Sequence, residues 1–294
     1  MLAIFGPTAS GKSAAAEAVA RRIPAELVSA DAMQVYRGLP VLTNQSDCPT
    51  RLVAIWDLDH ESSLAEYQRL AHAAIDEILA SGRMPVVVGG TGLYLRAALA
   101  ELELPPPPAP GERTRFERLY DRLGGERAHA LLAERDPAAA QAVHPNDRRR
   151  IVRALELAEA GSTLRPSSNR LWSGETRHPT LIVGLEVPRE EIARRIAERT
   201  RVMFEHGVEE EVRRALTRPV SSTARSIHGL WDIAELPREE ALQTLIMRTR
   251  RYAAYQRKWM RRIPGLVPVA ANRPAAEIAD EVLMLAGRDH LSRA

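Results

Sequence analysis

The sequence predicts an α/β fold in which a parallel sheet carries helices on both faces and is interrupted by an all-helical insertion. One observation is that short apolar runs alternate with helical patterns in the first part of the chain, which favours a covered parallel sheet. The other is that residues 112–160 have a helical pattern without a candidate strand, and that strand patterns return near residue 181. We therefore expect a core at 1–108 and 180–294 around an insertion at 109–179.

Apolar runs and the helices between them define the first part of the core. Leu2–Phe5 is a continuous apolar run that ends at Gly6, as a short buried strand does. Leu64–Ala80 has its apolar residues at helical spacing. The other elements expected here are a helix at Ser13–Ile23, strands at Glu26–Ser29 and Met84–Val88, and a helix at Leu93–Leu99.

The character of the chain changes after Leu104. Pro105–Pro108 is a stiff linker, and Gly161–Pro179 is rich in Ser, Pro, Gly and Thr, which indicates a loop. The second part of the core is expected to contain strands at Leu181–Val187 and Leu266–Ala270 and helices at Glu190–Glu205, Gly207–Leu216, Arg238–Ile263 and Ala275–Leu285.

Composition excludes several classes of protein. Of 294 residues, 45% are hydrophobic and 27% are charged, which is ordinary for a soluble globular protein. No apolar run reaches the ~18–20 residues that a membrane span needs. Cys48 is the only cysteine, which excludes an internal disulfide and argues against a structural zinc cluster. Because the first apolar stretch leads into a glycine loop and not a signal-peptide cleavage site, we expect a cytoplasmic protein without membrane contact. We also expect a monomer.

One loop carries a motif for phosphate binding. Residues 6–13 match the pattern G-x-x-x-x-G-K-[ST] between a predicted strand and a predicted helix, as the motif requires. In this motif backbone N–H groups turn toward phosphate oxygens, the lysine bridges them, and the last hydroxyl can bind Mg²⁺. The residues are Gly6, Pro7, Thr8, Ala9, Ser10, Gly11, Lys12 and Ser13. They indicate a P-loop NTPase-like fold with a nucleotide or diphosphate site and a Mg²⁺ ligand at Ser13, although this loop serves several reactions.

Further segments accompany the loop in a characteristic order. They are Thr8–Ser13, Ser29–Gly38, Gly89–Tyr94, Asn146–Glu156 and Thr249–Tyr252. Together they resemble the tRNA dimethylallyltransferase family over nearly the whole chain. The resemblance implies transfer of a dimethylallyl group from dimethylallyl diphosphate to N6 of adenosine 37, with release of pyrophosphate and with Mg²⁺ as cofactor. The implied partner is the anticodon stem-loop of tRNAs that have adenosine at positions 36 to 38.

The resemblance also implies roles for individual residues. Catalytic roles are implied for Thr8, Asp31, Thr91 and Arg225. Contacts with tRNA are implied for Asp31, Ala32, Met33, Gln34, Thr91, Arg113, Arg149, Arg150, Ile151, Val152, Arg153 and Arg250. The chain departs from the common family pattern at Pro40–Gln45, at His228–Leu230 and at Ala254–Tyr255.

Asp31 has a chemical reason to act in this reaction. The exocyclic amine of adenosine is a weak nucleophile that must lose a proton, and a carboxylate at the mouth of the loop can accept it. We expect the strand before Asp31 to neighbour the strand before the loop. The alternatives are that Asp31 caps a turn or holds Mg²⁺. Thr91 either contacts the substrate or caps the helix after it, and Gly89, Gly90 and Gly92 are expected to let the nucleic acid approach closely.

Arginine carries almost all of the positive charge. Lys and Arg total 41, and only Lys12 and Lys258 are lysines. A guanidinium binds phosphate oxygens in bidentate geometry, although a GC-rich genome also produces such a composition. The densest cluster is Arg148–Arg150 with Arg153, in which Arg149 and Arg153 share a helical face. It predicts either tRNA phosphate binding or a solvated face.

A second basic run extends from residue 248 to 262. It contains Tyr252, Tyr255 and Trp259 among its charges. Aromatic rings in a basic surface can stack on bases, and packing in the core is the alternative for at least one of them.

Three other functions compete with this hypothesis. An adenylate isopentenyltransferase would prenylate free AMP with the same loop and the same Asp31 but would not need the helical insertion. A small-molecule P-loop kinase would use ATP as its donor, and a second nucleotide-reading motif is absent from the sequence. A non-catalytic tRNA-binding protein would keep the arginines without an intact set of Lys12, Ser13 and Asp31. The eight histidines have no metal-ligand spacing, so no metalloenzyme is predicted.

Overall fold

A computed structural model describes residues 1–105, 111–164 and 170–293, with side chains to residue 288. Its centre is a six-stranded, entirely parallel sheet with the order β3-β2-β4-β1-β5-β6. The strands are β1 (Leu2–Phe5), β2 (Ala25–Ser29), β3 (Thr50–Arg51), β4 (Met84–Gly89), β5 (Leu181–Glu186) and β6 (Leu266–Ala270). The predicted α/β fold with a parallel sheet is confirmed.

Helices connect the strands and form the second unit of the chain. They are α1 (Lys12–Ala20), α2 (Leu64–Ala80), α3 (Gly92–Leu99), α4 (Glu112–Leu123), α5 (Gly125–Arg135), α6 (Pro137–Ala142), α7 (Arg148–Glu159), α8 (Arg189–Glu205), α9 (Val208–Ala215), α10 (Leu230–Glu235), α11 (Arg238–Met260) and α12 (Ala275–Arg293). No helix among the described residues is both long and apolar enough to cross a membrane.

The central strand β1 is buried on both faces, which explains its uniformly apolar sequence. Leu2 and Ile4 belong to a core cluster with residues of α1, α8 and α12. Ala3 and Phe5 point to the opposite face and are equally buried, because successive side chains of a strand alternate between faces. Helices α2 and α3 pack against each other and against β4.

The strand order corrects one expectation about the site. The strand before Asp31, β2, pairs with β4 and β3 and not with β1, because β4 lies between β1 and β2. Asp31 still reaches the phosphate loop, since the carboxyl ends of parallel strands meet at one edge of the sheet. The two-residue strand β3 and the short helix α10 were not predicted from the sequence, because neither is long enough to produce a periodic pattern.

The chain divides into two compact units, one formed by Met1–Glu101 with Leu171–Ala294 and the other by Leu102–Arg170. The second unit contains helices α4 to α7. Their apolar faces form a separate core of Phe116, Ala128, Leu132, Ala139, Ala140, Val143, Ile151, Val152, Ala154 and Leu155. Residues 106–110, which include most of the predicted proline linker and the expected boundary at 108, lie outside the described residues.

The division differs from the expected insertion at 109–179, because residues 171–179 belong to the sheet unit. A buried arginine of α3 explains the difference. Arg96 donates hydrogen bonds to the carbonyl oxygens of Leu171 at 3.0 Å, Ser173 at 3.0 Å and Glu175 at 3.1 Å, and its side chain is fully buried. Arg177 N also donates to Leu99 O at 2.8 Å. Residues 171–179 have the composition of a loop, but these hydrogen bonds attach them to the sheet unit.

Candidate active site

The phosphate loop has the geometry that its motif predicts. It connects the end of β1 at Phe5 with the start of α1 at Lys12. Gly11 has a left-handed φ of 87°, which glycine adopts at little cost, and Ala9 has a φ of 64°. No side chain caps α1, and its first turn contains no acidic residue. The positive end of the helix dipole is therefore available to an anion.

Two amide groups of the loop are already committed within the protein. Thr8 N donates to Gln256 Oε1 at 2.8 Å, and Ser10 N donates to Pro7 O at 3.1 Å. The loop is thus held by α11 as well as by its own turn. The backbone N–H groups that face the start of α1 lie in the later part of the loop, after these two.

Arg199 of α8 lies at the same loop. Its Nη2 donates to Thr8 Oγ1 at 2.7 Å. Two buried donors at this place, Arg199 Nε and Ser10 Oγ, have no hydrogen-bond partner within the described part of the chain. Buried donors of this kind are normally satisfied. Arg199 also lines the Asp31 cavity described below, so its Nε is available to an acceptor atom of a ligand.

The charges around Lys12 shift its ionisation. Burial lowers the pKa of Lys12 from 10.5 to about 8, the carboxylate of Asp31 opposes this shift, and the positive charge of Arg199 adds to it. Burial also lowers the pKa of Arg199. A diphosphate at the loop would supply the negative charge that both cations lack.

A cavity beside Lys12 offers oxygen ligands for a metal ion. The hydroxyl groups of Ser13 and Ser29 and the carboxylates of Glu17 and Asp31 are among its lining groups. Within the described residues, no group of three or more His, Cys, Asp and Glu side chains is placed to hold a metal ion. The arrangement fits Mg²⁺, which typically takes one or two protein oxygens and completes its shell with phosphate and water.

Asp31 lines this cavity and also a second one, hereafter the Asp31 cavity. Its Oδ1 accepts a hydrogen bond from Met33 N at 2.9 Å, so the turn-capping role considered for Asp31 is present and engages one carboxylate oxygen. The Asp31 cavity is lined by Thr8, Asp31, Met33, Leu42, Thr43, Asn44, Arg199, Thr200, Met203, His228, Leu245, Thr249, Tyr252 and Gln256. Cationic, apolar and aromatic groups therefore surround one space.

Thr91 begins α3, but its side chain makes no capping hydrogen bond to that helix. Instead, Thr91 Oγ1 accepts from Ala32 N at 3.2 Å and lies 3.1 Å from the hydroxyl oxygen of Tyr252. The Tyr252 ring meets the His228 ring edge-on at 4.7 Å. Burial raises the pKa of Tyr252 and lowers that of His228, so both groups are neutral at pH 7. Thr91 thus links the turn after Asp31 to Tyr252 of α11.

The glycines after β4 serve the packing of the chain itself. A Cβ atom at Gly89 would overlap Ala30 O, one at Gly90 would overlap the Gln256 amide, and one at Gly92 would overlap the Trp259 ring. The expectation that these glycines leave room for nucleic acid is therefore wrong at this point, because protein atoms occupy the space.

Other residues with implied roles lie in different surroundings. Gln34 donates through Nε2 to Thr43 O and Asn44 O at 3.2 and 2.9 Å, so it supports a wall of the Asp31 cavity. Arg225 is exposed, and its guanidinium lies 5.1 Å from the centroid of the Trp231 ring. Arg225 lines neither of the two cavities described above. Arg250 is exposed on α11 and donates to Ala193 O at 3.3 Å.

The second unit separates the arginines that the sequence grouped together. Arg153 and Arg113 both bond to Glu156, at 2.9 and 3.1 Å, and this carboxylate is almost fully buried. Arg149 and Arg150 are exposed. Arg149 and Arg153 therefore do not form one exposed face, because Arg153 pairs with a buried acid and its side chain is 18% exposed. Arg148 is exposed as well and pairs with Asp121 at 2.8 Å.

The resemblance implies contacts with tRNA for Ile151 and Val152 as well. Their side chains are 0% and 3% exposed and belong to the core of the second unit. The structure gives both side chains a packing role, because they occupy the apolar face of α7.

The basic run on α11 likewise contains residues of two kinds. Tyr255 is 55% exposed, which leaves its ring available for stacking. Trp259 instead packs against Trp172, with ring centroids 4.9 Å apart, and Arg262 lies over the Trp172 ring at 3.9 Å.

Sequence reasoning did not identify Arg199, His228 or Gln256 as site residues. A signal for Arg199 exists: it lies on the stripe that also contains Ile192, Ile196 and Met203, and an arginine on the apolar stripe of a helix needs a buried partner. His228 and Gln256 have no comparable local signal.

Comparisons with known proteins identify the family to which the chain belongs. The family model described as IPP transferase matches residues 34–263, and the one described as isopentenyl transferase matches residues 1–47. The tRNA dimethylallyltransferase of Thermobifida fusca is 40% identical over 283 residues, which cover 90% of this chain and 88% of that protein. The tRNA dimethylallyltransferase of Streptomyces coelicolor is 39% identical, with the same coverage of 90% and 88%.

Solved structures show the same fold. The tRNA isopentenylpyrophosphate transferase of Bacillus halodurans has a TM-score of 0.69 and 30% identity, over 98% of this chain and 96% of that one. A eukaryotic dimethylallyltransferase, described as acting on tRNA, has a TM-score of 0.74 over 100% of this chain and 79% of its own, and its 22% identity makes this a likeness of fold. With a family model that matches most of its length and relatives near 40% identity, the chain belongs to the IPP transferase family.

Proposed function

We propose that this protein transfers a dimethylallyl group from dimethylallyl diphosphate to N6 of adenosine 37 in tRNA and releases pyrophosphate. The observation that carries the proposal is the position of Asp31. Its carboxylate borders both the cavity of Lys12 and Ser13 and the cavity of Thr8 and Arg199. A proton acceptor therefore lies beside the place where a diphosphate would leave. Relatives named tRNA dimethylallyltransferase support the same conclusion.

The residues of this site can assist each bond change of the reaction. The bond between the allylic carbon and the diphosphate oxygen breaks, and its electron pair leaves with pyrophosphate. Lys12 and Arg199 stabilise the negative charge that develops there. The N6 lone pair forms the new C–N bond, and Asp31 accepts the proton that the amine loses.

Ser13 would hold Mg²⁺ at the diphosphate, because its hydroxyl ends the loop motif and it lines the cavity beside Lys12. The ion would neutralise charge on the phosphate oxygens and so assist departure of pyrophosphate. Thr8 and Thr91 keep the loop and the Asp31 turn in place through Arg199, Ala32 and Tyr252.

Exposed arginines in the second unit favour tRNA over free AMP as the acceptor. Arg149 and Arg150 extend from α7 into solvent, and exposed guanidinium groups bind the phosphates of a nucleic acid. A free nucleotide would have no use for them. The anticodon stem is the part of tRNA next to position 37, so we assign it to this surface.

A transfer assay tests the proposal. Labelled dimethylallyl diphosphate is incubated with Mg²⁺ and with one of four acceptors: tRNA with adenosines at positions 36 to 38, the same tRNA with guanosine at 37, AMP, or buffer. We expect label only in the first tRNA, and no incorporation when EDTA removes Mg²⁺. Label in AMP alone would establish an adenylate isopentenyltransferase. Stoichiometric ADP formation from added ATP would establish a kinase.

A further inference from the structure

One wall of the Asp31 cavity is a turn formed by residues 39–45, hereafter the wall turn. Leu42, Thr43 and Asn44 of this turn line the cavity. They share it with Thr8 and Arg199 at the phosphate loop. The shape of this cavity therefore depends on how the wall turn is held.

The wall turn has the hydrogen bonds of a single helical turn. Thr43 N donates to Leu39 O at 3.0 Å, and Gln45 N donates to Pro40 O at 2.9 Å. The first amide groups of a helical turn find no acceptor within it. Since Pro40 has no N–H, the next two such groups are those of Val41 and Leu42.

Glu211 accepts both of these hydrogen bonds. Its Oε2 accepts from Val41 N and its Oε1 from Leu42 N, each at 2.8 Å. Glu211 belongs to α9, far from the wall turn in the sequence, and is only 6% exposed. A single carboxylate from another helix thus caps the wall turn, and charge-assisted bonds of this kind are stronger than neutral ones.

The other end of the wall turn is held independently. Gln34 Nε2 donates to Thr43 O and Asn44 O, and Gln34 belongs to the turn that follows Asp31. Glu211 and Gln34 therefore hold opposite ends of the wall turn. Glu211 binds its amide end and Gln34 its carbonyl end.

The groups around the Asp31 cavity fit a diphosphate that carries a hydrocarbon. Arg199 supplies positive charge beside the phosphate loop, and Met203 and Leu245 supply apolar surface beside Leu42. The wall turn contributes to the part of the cavity that an allylic diphosphate would fill, so a change in its position alters the fit of the donor.

We propose that Glu211 is a positioning residue for the prenyl diphosphate donor, which acts by capping the wall turn through Val41 and Leu42. The proposal rests on the proposed function, since it identifies the ligand of the Asp31 cavity as the donor of that reaction. Glu211 does not line the cavity, so it acts only through the turn.

The test replaces Glu211 by glutamine and compares the two substrates. Glu211→Gln keeps the shape of the side chain, but its amide nitrogen is a donor and faces one of the two N–H groups. We expect the KM for dimethylallyl diphosphate to rise about tenfold, since one buried donor loses its acceptor. We expect the KM for tRNA to stay within about twofold, because the change lies at the donor wall.

The same helix provides a matched control. Glu210 is the neighbouring residue, is exposed and pairs with Arg213, so Glu210→Gln removes the same charge without touching the wall turn. Its KM for the donor should equal that of the parent. Glu211→Asp keeps the carboxylate on a shorter side chain and should restore part of the donor affinity.

A rise in the two KM values by the same factor, or a donor KM for Glu211→Gln no higher than for Glu210→Gln, would overturn the proposal. If circular dichroism shows that Glu211→Gln is unfolded at the assay temperature, Glu211→Asp replaces it in the test. The same comparison of the donor KM with the tRNA KM then applies. Failure of the proposed function is distinguishable, since the parent protein would then prenylate no tRNA. Equilibrium binding of labelled dimethylallyl diphosphate to the parent and both variants then decides the role of Glu211.

Discussion

Asp31, Thr91 and Arg199 reach the site from three elements, and each is held by a contact with another part of the chain. Asp31 caps its own turn through Met33 N, Thr91 supports that turn at Ala32 N, and Arg199 bonds to the phosphate loop at Thr8. Single residues therefore combine chemical and positioning roles, and substitutions must preserve one role to test the other.

Asp31→Asn separates the proton acceptor from the turn cap. Asparagine can still accept from Met33 N, but its amide cannot take the proton of N6. We expect kcat to fall by a factor of about 10² to 10⁴, while the Kd for tRNA remains within about threefold. The measurement is single-turnover transfer of labelled dimethylallyl groups, together with tRNA binding.

Asp57→Asn is the control for this substitution, because Asp57 is exposed and pairs with Arg37. It should transfer at the rate of the parent. Activity of Asp31→Asn within threefold of the parent would remove Asp31 from the role of base.

Lys12 predicts the pH dependence of donor binding. In the free protein its pKa is about 8 because of burial, so the positive charge that binds diphosphate is present below this pH and is lost above it. We expect the KM for dimethylallyl diphosphate to rise as the pH increases beyond 8. The pH profile of kcat/KM for the donor measures this.

Donor binding should weaken above pH 8, but the free energy of unfolding of the unliganded protein should increase over the same pH range. Since folding lowers the pKa of Lys12 from 10.5, the unfolded chain binds more protons between pH 8 and 10.5, and stability from this group rises across that window. Lys12→Met should lose both effects. Lys258→Met changes the other lysine, which is exposed, and should keep both pH effects. If kcat/KM for the donor does not change with pH in the parent protein, Lys12 is not the group that titrates.

At the level of elements, α7 shows how one helix divides its arginines between solvent and structure. Glu156 is buried on the helix and takes Arg153 and Arg113 as partners. Arg149 and Arg150, in the first turn, remain exposed. The division follows from the position of Glu156, since residues 153 and 156 are three apart and face the same way, whereas Arg149 and Arg150 lie close to two turns away from this acid.

Replacing Arg149 and Arg150 together by alanine should weaken tRNA binding through loss of charge. The slope of log affinity against log salt concentration should become shallower by about one to two units, because up to two fewer phosphates are neutralised. Binding of dimethylallyl diphosphate should be unchanged. A salt titration of tRNA binding to the parent and the double variant measures the slope.

The double variant Arg213→Ala with Arg214→Ala removes the same charge from α9 and should leave the slope unchanged. An unaltered slope in the α7 variant would mean that its arginines are only a solvated face.

Arg153→Ala, in contrast, should lower the thermal stability of the second unit, because Glu156 keeps only one of its two arginine partners.

At the scale of the whole molecule, the stability of the sheet unit depends on the point at which the chain returns to it. The chain leaves this unit after Glu101 and re-enters it at Leu171. Arg96 holds the returning segment by three carbonyl oxygens. A fully buried cation is costly unless it is well bonded, so this contact links β4 and α3 to the start of the second half of the unit.

Arg96→Met should therefore destabilise the sheet unit strongly. The change leaves the carbonyl oxygens of Leu171, Ser173 and Glu175 without this donor, and we expect the free energy of unfolding to fall by at least about 3 kcal/mol. Urea unfolding monitored by circular dichroism measures it. Arg213→Met breaks an exposed pair with Glu210 and should cost about 0–1 kcal/mol. Equal losses in the two variants would show that Arg96 is not a structural clamp.

Local patterns were sufficient for much of the fold. The bounds of α2 and β1 were predicted without error, because a long amphipathic period and a continuous apolar run that ends at a glycine are local signals. The order of the strands was not predicted, since pairing of β2 with β4 and not with β1 depends on where the chain crosses the sheet.

The same distinction explains the candidate site. The sequence by itself determined the phosphate loop, because the residues that turn the backbone, begin the helix and carry the charge are contiguous from Gly6 to Ser13. Only the tertiary structure decided that Arg199 joins that loop, that Arg153 turns to a buried acid, and that Glu211 caps a turn some 170 residues before it. These contacts join segments distant in the chain, and the free energy of burying a charge next to its partner exists only after the fold has brought both together.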